Sequence, residues 1–454
     1  MKRVLIANRG EIALRILRAC HELGLEALAV YSDVDRNARH VTLADASFCI
    51  GPGPVTKSYL QPGAILAAAT AMGADAVHPG YGFLAENAEF ADACTEAGLI
   101  FVGPSAEAIR QMGDKAQARR VAGAAGVPLV PGADIADIAD LERQLPEMSF
   151  PVLMKAAAGG GGRGMRIVER AEDATQGYME ASREAEAAFG SGVVYWERYV
   201  RRARHIEVQV LADRHGAVID VGERDCTVQR RHQKLVEETP AHDLPDAIRE
   251  QALSSARALA KGVDYLGAGT VEYIYDLDTG LLHFIEMNTR IQVEHPVSEM
   301  VSGADLVREQ IRIARGDPID PMVVNRTLNG HAIECRINAE AWRSGFVPSP
   351  GVLSGLVLPG GPGVRVDTHL TVGSEIPPFY DSMIAKIIVH APDREQARLR
   401  MLRALNELQV EGVPTTADLH ELILSDPDFA SMNISTKWLE TRIDDYQVRP
   451  SDAA

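Results

Sequence analysis

The chain has 454 residues, 46% hydrophobic and 24% charged, which is typical of a globular protein with more than one structural unit. Its formal net charge of −17 makes the surface repel nucleic acid and anionic membranes, so neither is an expected partner. The sequence has no apolar run suited to a signal peptide or membrane span, and its five scattered cysteines lack disulfide or metal-site spacing. We therefore expect a cytoplasmic protein whose anionic ligands bind in a locally basic cleft.

The first hundred residues alternate short apolar runs with helical patterns. Strands are predicted over residues 4–7, 27–31, 74–77 and 99–102, with a helix over 12–23. Such alternation indicates parallel βαβ units in a doubly wound sheet. The first turn, at residues 8–11, reads NRGE rather than GxGxxG, so a Rossmann dinucleotide site is not supported.

A glycine-rich stretch joins two further predicted strands. The first strand covers residues 150–155 and ends in Lys155, four glycines follow at 159–162, and the second strand covers 165–168. A Walker loop is excluded because it leads from a strand into a helix and ends in Gly-Lys-Ser/Thr. Backbone N–H groups of the glycines could instead close over phosphates, with Lys155 adding positive charge. A plain surface hairpin is the alternative, but four glycines are costly to order, which favours a mobile lid that orders on a ligand.

Two glutamates face each other in a predicted hairpin. The strands cover residues 269–275 and 281–288, and counting seven residues either way from Thr279 gives Glu272 and Glu286. Their Cβ atoms would then lie roughly 5 Å apart, unless a bulge offsets the register. A divalent cation such as Mg²⁺ would relieve the repulsion between the two carboxylates.

Polar residues continue at every second position after this hairpin, namely Glu286, Asn288, Arg290, Gln292 and Glu294. If the extended strand continues past Arg290, all five side chains share one face. An ordinary solvated face is the alternative interpretation. The order of acids, amides and a guanidinium favours a continuous ligand-binding surface.

A cationic run, QRRHQK at residues 229–234, stands out in this acidic protein. A solvated charge run is the usual interpretation of such a segment, but anionic substrates need a basic patch here. A last unit is predicted to begin near His331. It has Pro-Gly turns at 348–351 and 359–363, which indicate a mostly β structure, and then a helix over 394–409.

Several long motifs together carry a family resemblance. The strand–lysine–glycine loop and the sequence FIEMN at 284–288 resemble the ATP-grasp superfamily. Within it, the chain is similar to biotin carboxylases from residue 2 to about 440. The motifs that carry this similarity are IANRGEIA at 6–13, HPGYGFL at 78–84, ERDC at 223–226, QRRHQK at 229–234 and ECRINAE at 334–340.

The resemblance implies an α/β and α+β architecture, with an ATP-grasp fold between two other domains. The expected N-terminal domain is a doubly wound parallel sheet over residues 1–112. The ATP-grasp domain would cover 113–330, with a mobile glycine-rich lid at about 131–203. A mostly β C-terminal domain would cover 331–446, followed by a tail at 447–454.

The resemblance also implies which residues bind nucleotide and metal. Predicted ATP contacts are Lys115, Lys155, Gly161, Gly162, His205, Gln229 and His232. The predicted adenine site, formed partly by backbone groups, consists of Glu197, Arg198, Tyr199 and Val200. The predicted ligands of Mg²⁺ or Mn²⁺ are Glu272, Glu286 and Asn288.

By the same resemblance, bicarbonate would be bound by Lys234, Arg290, Gln292 and the backbone of Val293. Glu294 would be its general base, and Lys234 and Arg290 would also act in catalysis. Arg336 would stabilise the biotin enolate, with Tyr81 and Gly82 near the biotin ring.

The implied reaction is ATP-dependent carboxylation of biotin by bicarbonate through carboxyphosphate, giving ADP and phosphate. The sequence shows no Ala-Met-Lys-Met biotin-attachment motif, so we expect biotin on a separate carboxyl carrier protein. Carboxyltransferase subunits of an acyl-CoA carboxylase, a role in fatty acid biosynthesis, and a homodimer are further expectations. The alternatives are another ATP-grasp carboxylate ligase or a non-catalytic ATP-binding paralogue.

Three positions depart from the family pattern. Ala158 stands where the glycine run often begins, and Arg198 replaces a frequent lysine. Residues 341–345, with the sequence AWRSG, replace the usual Asp-Pro after Glu340. The last departure could mark a paralogue with its own carrier protein.

Overall fold

The structure of the protein is a computed structural model that describes residues 1–156 and 165–448, with Phe189 described by its backbone alone. The predicted lid glycines Gly161 and Gly162 lie outside the described residues. The described chain forms a parallel sheet of five strands, antiparallel sheets of eight and four strands, and three two-stranded ribbons. The expected combination of α/β and α+β structure is confirmed.

The N-terminal unit is a doubly wound parallel sheet with the strand order β3-β2-β1-β4-β5. Its strands are β1 (Arg3–Ile6), β2 (Glu26–Ser32), β3 (Ala46–Gly51), β4 (Ala76–His78) and β5 (Ile100–Phe101). Its helices are α1 (Gly10–Glu22), α2 (Arg39–Thr42), α3 (Pro62–Met72), α4 (Ala88–Glu96) and α5 (Ala106–Gly113). Helices cover both faces of the sheet, which explains why the predicted strands are short continuous apolar runs.

Alternation along β1 divides the N-terminal core into two layers. Val4 and Ile6 pack with apolar residues of α1, whereas Leu5 packs with residues of α3 on the other face. The sequence pattern missed strand β3. It lies at the sheet edge with Ser47 and Phe48 exposed, so its apolar pattern is weak.

The four-stranded sheet has the order β6-β9-β7-β8 and includes the two strands predicted around the glycines. The elements of this part of the chain are α6 (Lys115–Ala124), β6 (Gly132–Ile135), α7 (Ile138–Gln144), β7 (Val152–Ala156), β8 (Met165–Val168), α8 (Ala174–Phe189) and β9 (Val194–Arg198). Strands β7 and β8 pair antiparallel, with Lys155 opposite Met165. Lys155 therefore stands near the end of β7, where the glycine run begins.

The eight-stranded sheet is antiparallel, and its first five strands form three hairpins. Its first elements are β10 (Ala203–Ala212), β11 (Val218–Arg230), β12 (Gln233–Thr239), α9 (Asp246–Gly262), β13 (Gly267–Asp276) and β14 (Leu281–Asn288). They are followed by α10 (His295–Ser302), α11 (Leu306–Arg315) and α12 (Pro321–Val324). Every residue of β10 is buried, because the strand lies in the interior of the sheet.

The same sheet continues across residue 331 into the C-terminal unit. Its full order is β14-β13-β10-β11-β12-β15-β22-β20, where the last three strands are β15 (His331–Asn338), β22 (Met383–Ala391) and β20 (Val364–Asp367). Strand β15 pairs with β12, placing Glu334 opposite Glu237 and Cys335 opposite Val236. The central and C-terminal units therefore share one hydrogen-bonded sheet.

The rest of the C-terminal unit combines short strands with helices. The strands are β16 (Glu340–Ala341), β17 (Val347–Pro348), β18 (Gly351–Val352), β19 (Gly355–Val357), β21 (Glu375–Ile376) and β23 (Gln409–Glu411). The helices are α13 (Arg394–Glu407), α14 (Ala417–Ser425), α15 (Pro427–Ala430) and α16 (Trp438–Gln447). This unit has more helix than the expectation of a mostly β domain, because three short helices follow the predicted one. Among the described residues, no helix is both long and apolar enough to cross a membrane.

His78, at the end of β4, predicts a pH-dependent stability. It is fully buried, and its Nδ1 accepts a hydrogen bond from the backbone N–H of Gly80 at 3.1 Å. Burial, and to a smaller extent the charge of Arg15, lowers the pKa of His78 to about 3. In the unfolded chain His78 takes up a proton near pH 6.5, whereas in the folded chain it stays neutral until the pH nears 3. The contribution of neutral His78 to the free energy of unfolding is therefore present above pH 6.5 and lost as the pH falls towards 3.

We expect His78→Gln to remove this acid sensitivity. Between pH 6.5 and 4.5 the unaltered chain should lose roughly 2 kcal/mol through this residue, a loss that glutamine cannot incur. Urea unfolding at the two pH values measures the difference. His215→Gln makes the same exchange at an exposed position and should leave the acid loss in place. An equal loss in the His78 variant and the unaltered chain would contradict the assignment.

Candidate active site

A cavity of about 620 Å³ lies where the eight-stranded and four-stranded sheets meet. It collects side chains from β7, β9, β10, β13, β14, β15 and the β11–β12 hairpin. The predicted residues that line it are Lys115, Lys155, Glu197, Arg198, Tyr199, Val200, His205, Gln229, His232, Lys234, Glu272, Glu286, Asn288, Arg290, Gln292, Val293, Glu294 and Arg336. Residues far apart in the sequence thus line one cavity.

The β13–β14 hairpin places Glu272 opposite Glu286, in the predicted register. Near the turn Tyr273 pairs with Phe284. If this register continued along the strands, Glu272 would lie opposite Ile285. A β-bulge between Glu272 and Tyr273 shifts the register by one residue and leaves Ile285 as the extra residue. The bulge therefore brings the two carboxylates together rather than offsetting them.

The strand does not continue past Arg290, so the condition for one shared strand face is not met. Strand β14 ends at Asn288, and the chain then turns towards Glu294, which immediately precedes α10. Glu86 of the N-terminal unit is the physical reason. Its carboxylate accepts the backbone N–H of Thr289 at 3.0 Å and Nε of Arg290 at 2.8 Å, so it competes with a further strand ladder. The polar side chains still meet, but around a turn rather than along a strand face.

Lys234 lies at the centre of a buried ionic network. Its Nζ is 2.5 Å from Oε2 of Glu207, 3.0 Å from Oε1 of Glu272 and 2.6 Å from Oε1 of Glu294. Burial alone would favour the neutral amine, but the three carboxylates raise the pKa of Lys234 well above its ordinary value. Glu207 is also ion-paired with the fully buried Arg224. The cavity floor therefore holds a fixed ammonium group among fixed carboxylates.

Glu294 lies between two cations. In addition to Lys234, Nη2 of Arg336 donates a hydrogen bond to Oε2 of Glu294 at 2.9 Å. Burial would raise the pKa of Glu294, but Lys234, Arg336 and Arg224 together hold it well below its ordinary value. Glu294 is therefore an ionised carboxylate at neutral pH, ready to accept a proton once its cations are drawn to another anion.

Among the predicted metal ligands, the carboxylate of Glu286 is the least compensated, because Lys115 and His205 act on it only at a distance. Burial and the charge of Glu272 raise the pKa of Glu286. In residues 1–156 and 165–448, no hydrogen-bond donor or cation contacts Glu286 directly. Glu272, by contrast, accepts Nδ2 of Asn288 at 2.8 Å and lies 3.0 Å from Nε2 of His205. Adjacent carboxylate and amide oxygens, one of them compensated only at a distance, fit a hard divalent cation.

The nucleotide end of the cavity lies beside the four-stranded sheet. Lys155 is ion-paired with Glu197, and burial lowers the pKa of Lys115. Arg198 is 2.9 Å from Asp276, so its guanidinium is held at the wall of the cavity. The backbone N–H of Tyr199 donates to Pro151 O at 2.9 Å and fixes the segment after β9.

A second cavity of about 300 Å³ adjoins the first. It contains the remaining predicted residues, Tyr81 and Gly82, and shares Val293, Arg336 and Asp381 with the first cavity. The hydroxyl of Tyr81 donates to Glu11. Arg336 therefore borders both cavities, at the point where two bound substrates could meet.

Several cavity residues escaped the sequence analysis. They are Asp381, Thr436, Lys437 and Glu440 in the wall, with Glu86, Glu207 and Glu237 behind it. Glu207 stands two residues after His205 in β10, so the sequence places both on one strand face, but this spacing alone assigns Glu207 no role. The others reach the site through the tertiary fold, and no local sequence pattern marks them.

Comparisons with known proteins agree with this arrangement. Family profiles match over residues 1–109 (biotin carboxylase, N-terminal domain), 114–322 (carbamoyl-phosphate synthase L chain, ATP binding domain) and 334–441 (biotin carboxylase C-terminal domain). A biotin carboxylase of Nostoc sp. is 51% identical over 442 residues, which cover 96% of this chain and 98% of the relative.

Two solved structures show the same fold. The Campylobacter jejuni biotin carboxylase in a β-γ-ATP complex has a TM-score of 0.93 and 47% identity, covering 97% of this chain and 98% of that one. The biotin carboxylase domain dimer of Hydrogenobacter thermophilus 2-oxoglutarate carboxylase, with MgADP, ADP and bicarbonate, has a TM-score of 0.91 and 48% identity, covering 97% of each chain. The expected ATP-grasp fold is confirmed. The chain belongs to the biotin carboxylase family of ATP-dependent ligases.

Proposed function

We propose that this site uses ATP and bicarbonate to carboxylate biotin that is attached to a separate carrier protein. ATP-dependent biotin carboxylation is the activity of the family to which the chain belongs. The observation that carries the proposal is the pair of adjoining cavities that share Val293 and Arg336. Activated bicarbonate in one cavity and biotin in the other would meet at Arg336.

The nucleotide would occupy the end of the larger cavity next to β7 and β9. Lys115 and Lys155 supply positive charge for the phosphates, and residues 197–200 provide the wall for adenine. Gly161 and Gly162, which lie outside the described residues, are also proposed to contact ATP. Glu272, Glu286 and Asn288 would hold Mg²⁺ or Mn²⁺, which neutralises charge on the phosphoryl oxygens when bound.

Bicarbonate would bind beside Lys234, Arg290, Gln292 and the backbone of Val293. It is a second anion for Lys234 and so competes with Glu294 for the ammonium group. As Lys234 turns to the substrate, the pKa of Glu294 rises and the carboxylate becomes a better base. Glu294 then takes the bicarbonate proton, and the freed oxygen attacks the γ-phosphorus while the bond to the ADP oxygen breaks.

The resulting carboxyphosphate would break down to CO₂ and phosphate next to the second cavity. Phosphate takes the N–H proton of biotin, and the nitrogen then bonds to the CO₂ carbon. Arg336 would neutralise the enolate oxygen that forms on the biotin ring. Tyr81 and Gly82 would hold the ring, since they line the cavity on the far side of Arg336.

The assembly around this site is part of the proposal. A separate carrier is proposed because the 454 residues contain no Ala-Met-Lys-Met attachment motif. We further propose carboxyltransferase subunits of an acyl-CoA carboxylase as partners, a role in fatty acid biosynthesis, a homodimer like the Hydrogenobacter domain, and a cytoplasmic location.

The proposed domain boundaries at 112/113 and 330/331 lie near the start of α6 and at the start of β15, respectively.

ADP release by the purified chain tests the proposed function. We expect turnover that requires Mg²⁺ and bicarbonate and is stimulated by free biotin. Reactions without bicarbonate and without biotin are the controls. Turnover that needs bicarbonate but ignores biotin would contradict the proposed acceptor and favour another ATP-grasp ligase. Absence of turnover under every condition would instead favour a nucleotide-binding protein.

Glu294→Gln should separate catalysis from binding. The amide has the same shape but cannot take the bicarbonate proton, so turnover should fall by about 10² to 10⁴-fold. ATP affinity should stay within about threefold, because Lys115, Lys155 and the proposed metal ligands are unchanged. Single-turnover ADP formation and calorimetric titration with MgADP measure the two quantities. A parallel loss of both would rule out the role of Glu294 as base.

Glu286→Gln should weaken binding of the divalent cation. It removes the one carboxylate of the set that no cation or donor of the described residues contacts directly, so Mn²⁺ affinity should fall on the order of tenfold. Electron paramagnetic resonance of free Mn²⁺, titrated in the presence of ADP, measures the affinity without turnover. Glu375→Gln at an exposed position of β21 is the control. Unchanged Mn²⁺ affinity in the Glu286 variant would exclude it as a ligand.

A further inference from the structure

The segment that departs from the family pattern lies outside the active site but inside the C-terminal core. The departing residues are 341–345, and the last four of them together with Phe346 form segment 342–346, which begins with the short 3-10 turn Trp342–Ser344. Trp342 is 2% exposed and Phe346 is 8% exposed, and both belong to the apolar core of this unit. Phe346 has a φ of 63°, a backbone conformation that is uncommon for a bulky residue. The surrounding packing therefore fixes this segment.

One contact of segment 342–346 is with the end of helix α16. Nη1 of Arg343 donates to the carbonyl oxygens of Tyr446 at 3.1 Å and Gln447 at 3.3 Å. The last turn of a helix carries partial negative charge, so a guanidinium there interacts favourably with the helix dipole. Nη2 of Arg343 also donates to Asp418 of α14, as does the indole N–H of Trp342. The contacts with Tyr446 and Gln447 hold the end of α16 against segment 342–346.

The other contact of the segment is with the β11–β12 hairpin. The guanidinium carbon of Arg230, the last residue of β11, lies 3.8 Å from the centre of the Phe346 ring. The hairpin tip that follows consists of Arg231 and His232, with φ values of 46° and 65°. Non-glycine residues adopt this conformation at an energetic cost, so the surroundings must hold the tip. The stacked Arg230 provides one such support.

Helix α16 supports the same tip from its opposite end. Oε1 of Glu440 accepts the backbone N–H of Arg231 at 3.4 Å, and Nζ of Lys437 lies 4.6 Å from the centre of the Tyr199 ring. Lys437, Glu440, His232 and Tyr199 all line the larger cavity. Segment 342–346 therefore reaches the cavity by two routes, directly through Arg230 and indirectly through α16.

We propose that segment 342–346 and Arg230 form a clamp that positions the β11–β12 hairpin tip, and with it His232, for nucleotide binding. Arg343 and Phe346 are then positioning residues, since neither lines the cavity. The inference rests on the proposed function, which places the nucleotide at this end of the cavity. A carrier-docking role for segment 342–346 is disfavoured, because Trp342 and Phe346 are buried and Arg343 is bonded within the chain.

Substitutions at Phe346 test the direct route. Phe346→Leu keeps an apolar side chain but loses the aromatic face under Arg230, so MgADP affinity should fall about five- to twentyfold. Phe346→Tyr keeps the ring and should bind MgADP as the unaltered chain does. The KM for bicarbonate should stay unchanged in both, because three carboxylates hold Lys234 independently of the tip. Isothermal titration and initial-rate measurements give these values.

Two substitutions at Glu440 test the indirect route. Glu440→Gln removes the charge but keeps an oxygen that can accept the Arg231 N–H, whereas Glu440→Ala removes both. If charge alone mattered, both variants would bind the anionic nucleotide more tightly. The clamp instead requires the glutamine variant to bind MgADP at least as well as the unaltered chain and the alanine variant to bind it severalfold more weakly. This pair decides the question even if Phe346→Leu fails to fold.

Arg403→Ala, which removes an exposed ion pair on α13, is the control for loss of a surface arginine. The clamp is overturned if Phe346→Leu and Glu440→Ala bind MgADP like the unaltered chain. It is also overturned if they lose MgADP affinity, bicarbonate KM and melting temperature together, since that is a general structural defect. MgADP binding is measured without turnover. An unaltered chain that binds MgADP but shows no biotin-stimulated ADP release would thus reject the proposed function and leave the clamp to be judged on its own result.

Discussion

The buried ammonium group of Lys234 is the contact on which the rest of the active site depends. Glu207 from β10, Glu272 from β13 and Glu294 before α10 all lie within 3.0 Å of it. Three carboxylates without a cation in this buried place would repel each other and pay the full cost of desolvation. Lys234 therefore joins three separate elements through charge as well as packing. A substrate that binds here must take over some of its contacts.

Charge compensation differs between the two ends of the cavity. Glu207, Glu272 and Glu294 are paired with cations, whereas Glu286 has no compensating contact in the described part of the chain. This least compensated carboxylate lies at the end where the cation and phosphates are proposed. Binding of a divalent cation at that end would therefore relieve unfavourable electrostatic free energy. At the bicarbonate end, the carboxylates are already paired with cations. In a protein of net charge −17, the divalent cation would therefore help the cavity to accept anionic phosphates.

Local sequence patterns predicted the local parts of this structure. The strands around the glycines and the facing pair Glu272 and Glu286 follow from alternation and a turn, although the register depends on a bulge that the sequence does not mark. The strand does not continue past Arg290 because Glu86, some two hundred residues away in sequence, accepts the N–H of Thr289. Contacts of that kind are properties of the tertiary fold.

The same distinction explains the other omissions. Strand β3 lies at a sheet edge with exposed residues, so its pattern is weak. Lys437 and Glu440 reach the cavity only because α16 packs beside the β11–β12 hairpin. The long motifs that carried the family resemblance identified more of the cavity than periodicity did, since they mark residues by identity rather than by spacing.

The ladder between β12 and β15 has a consequence for how this protein can be divided. Two domains joined by a flexible linker can be exchanged between proteins or evolve at separate rates. Here a boundary near residue 331 passes through a continuous sheet, and cutting there would expose two unpaired strand edges. Arg336 and Lys234 lie on these two neighbouring strands, on either side of that boundary. The part of the chain that would activate bicarbonate and the part that would receive biotin therefore belong to one folded unit. We expect relatives to inherit the two parts together, even where their carrier proteins differ.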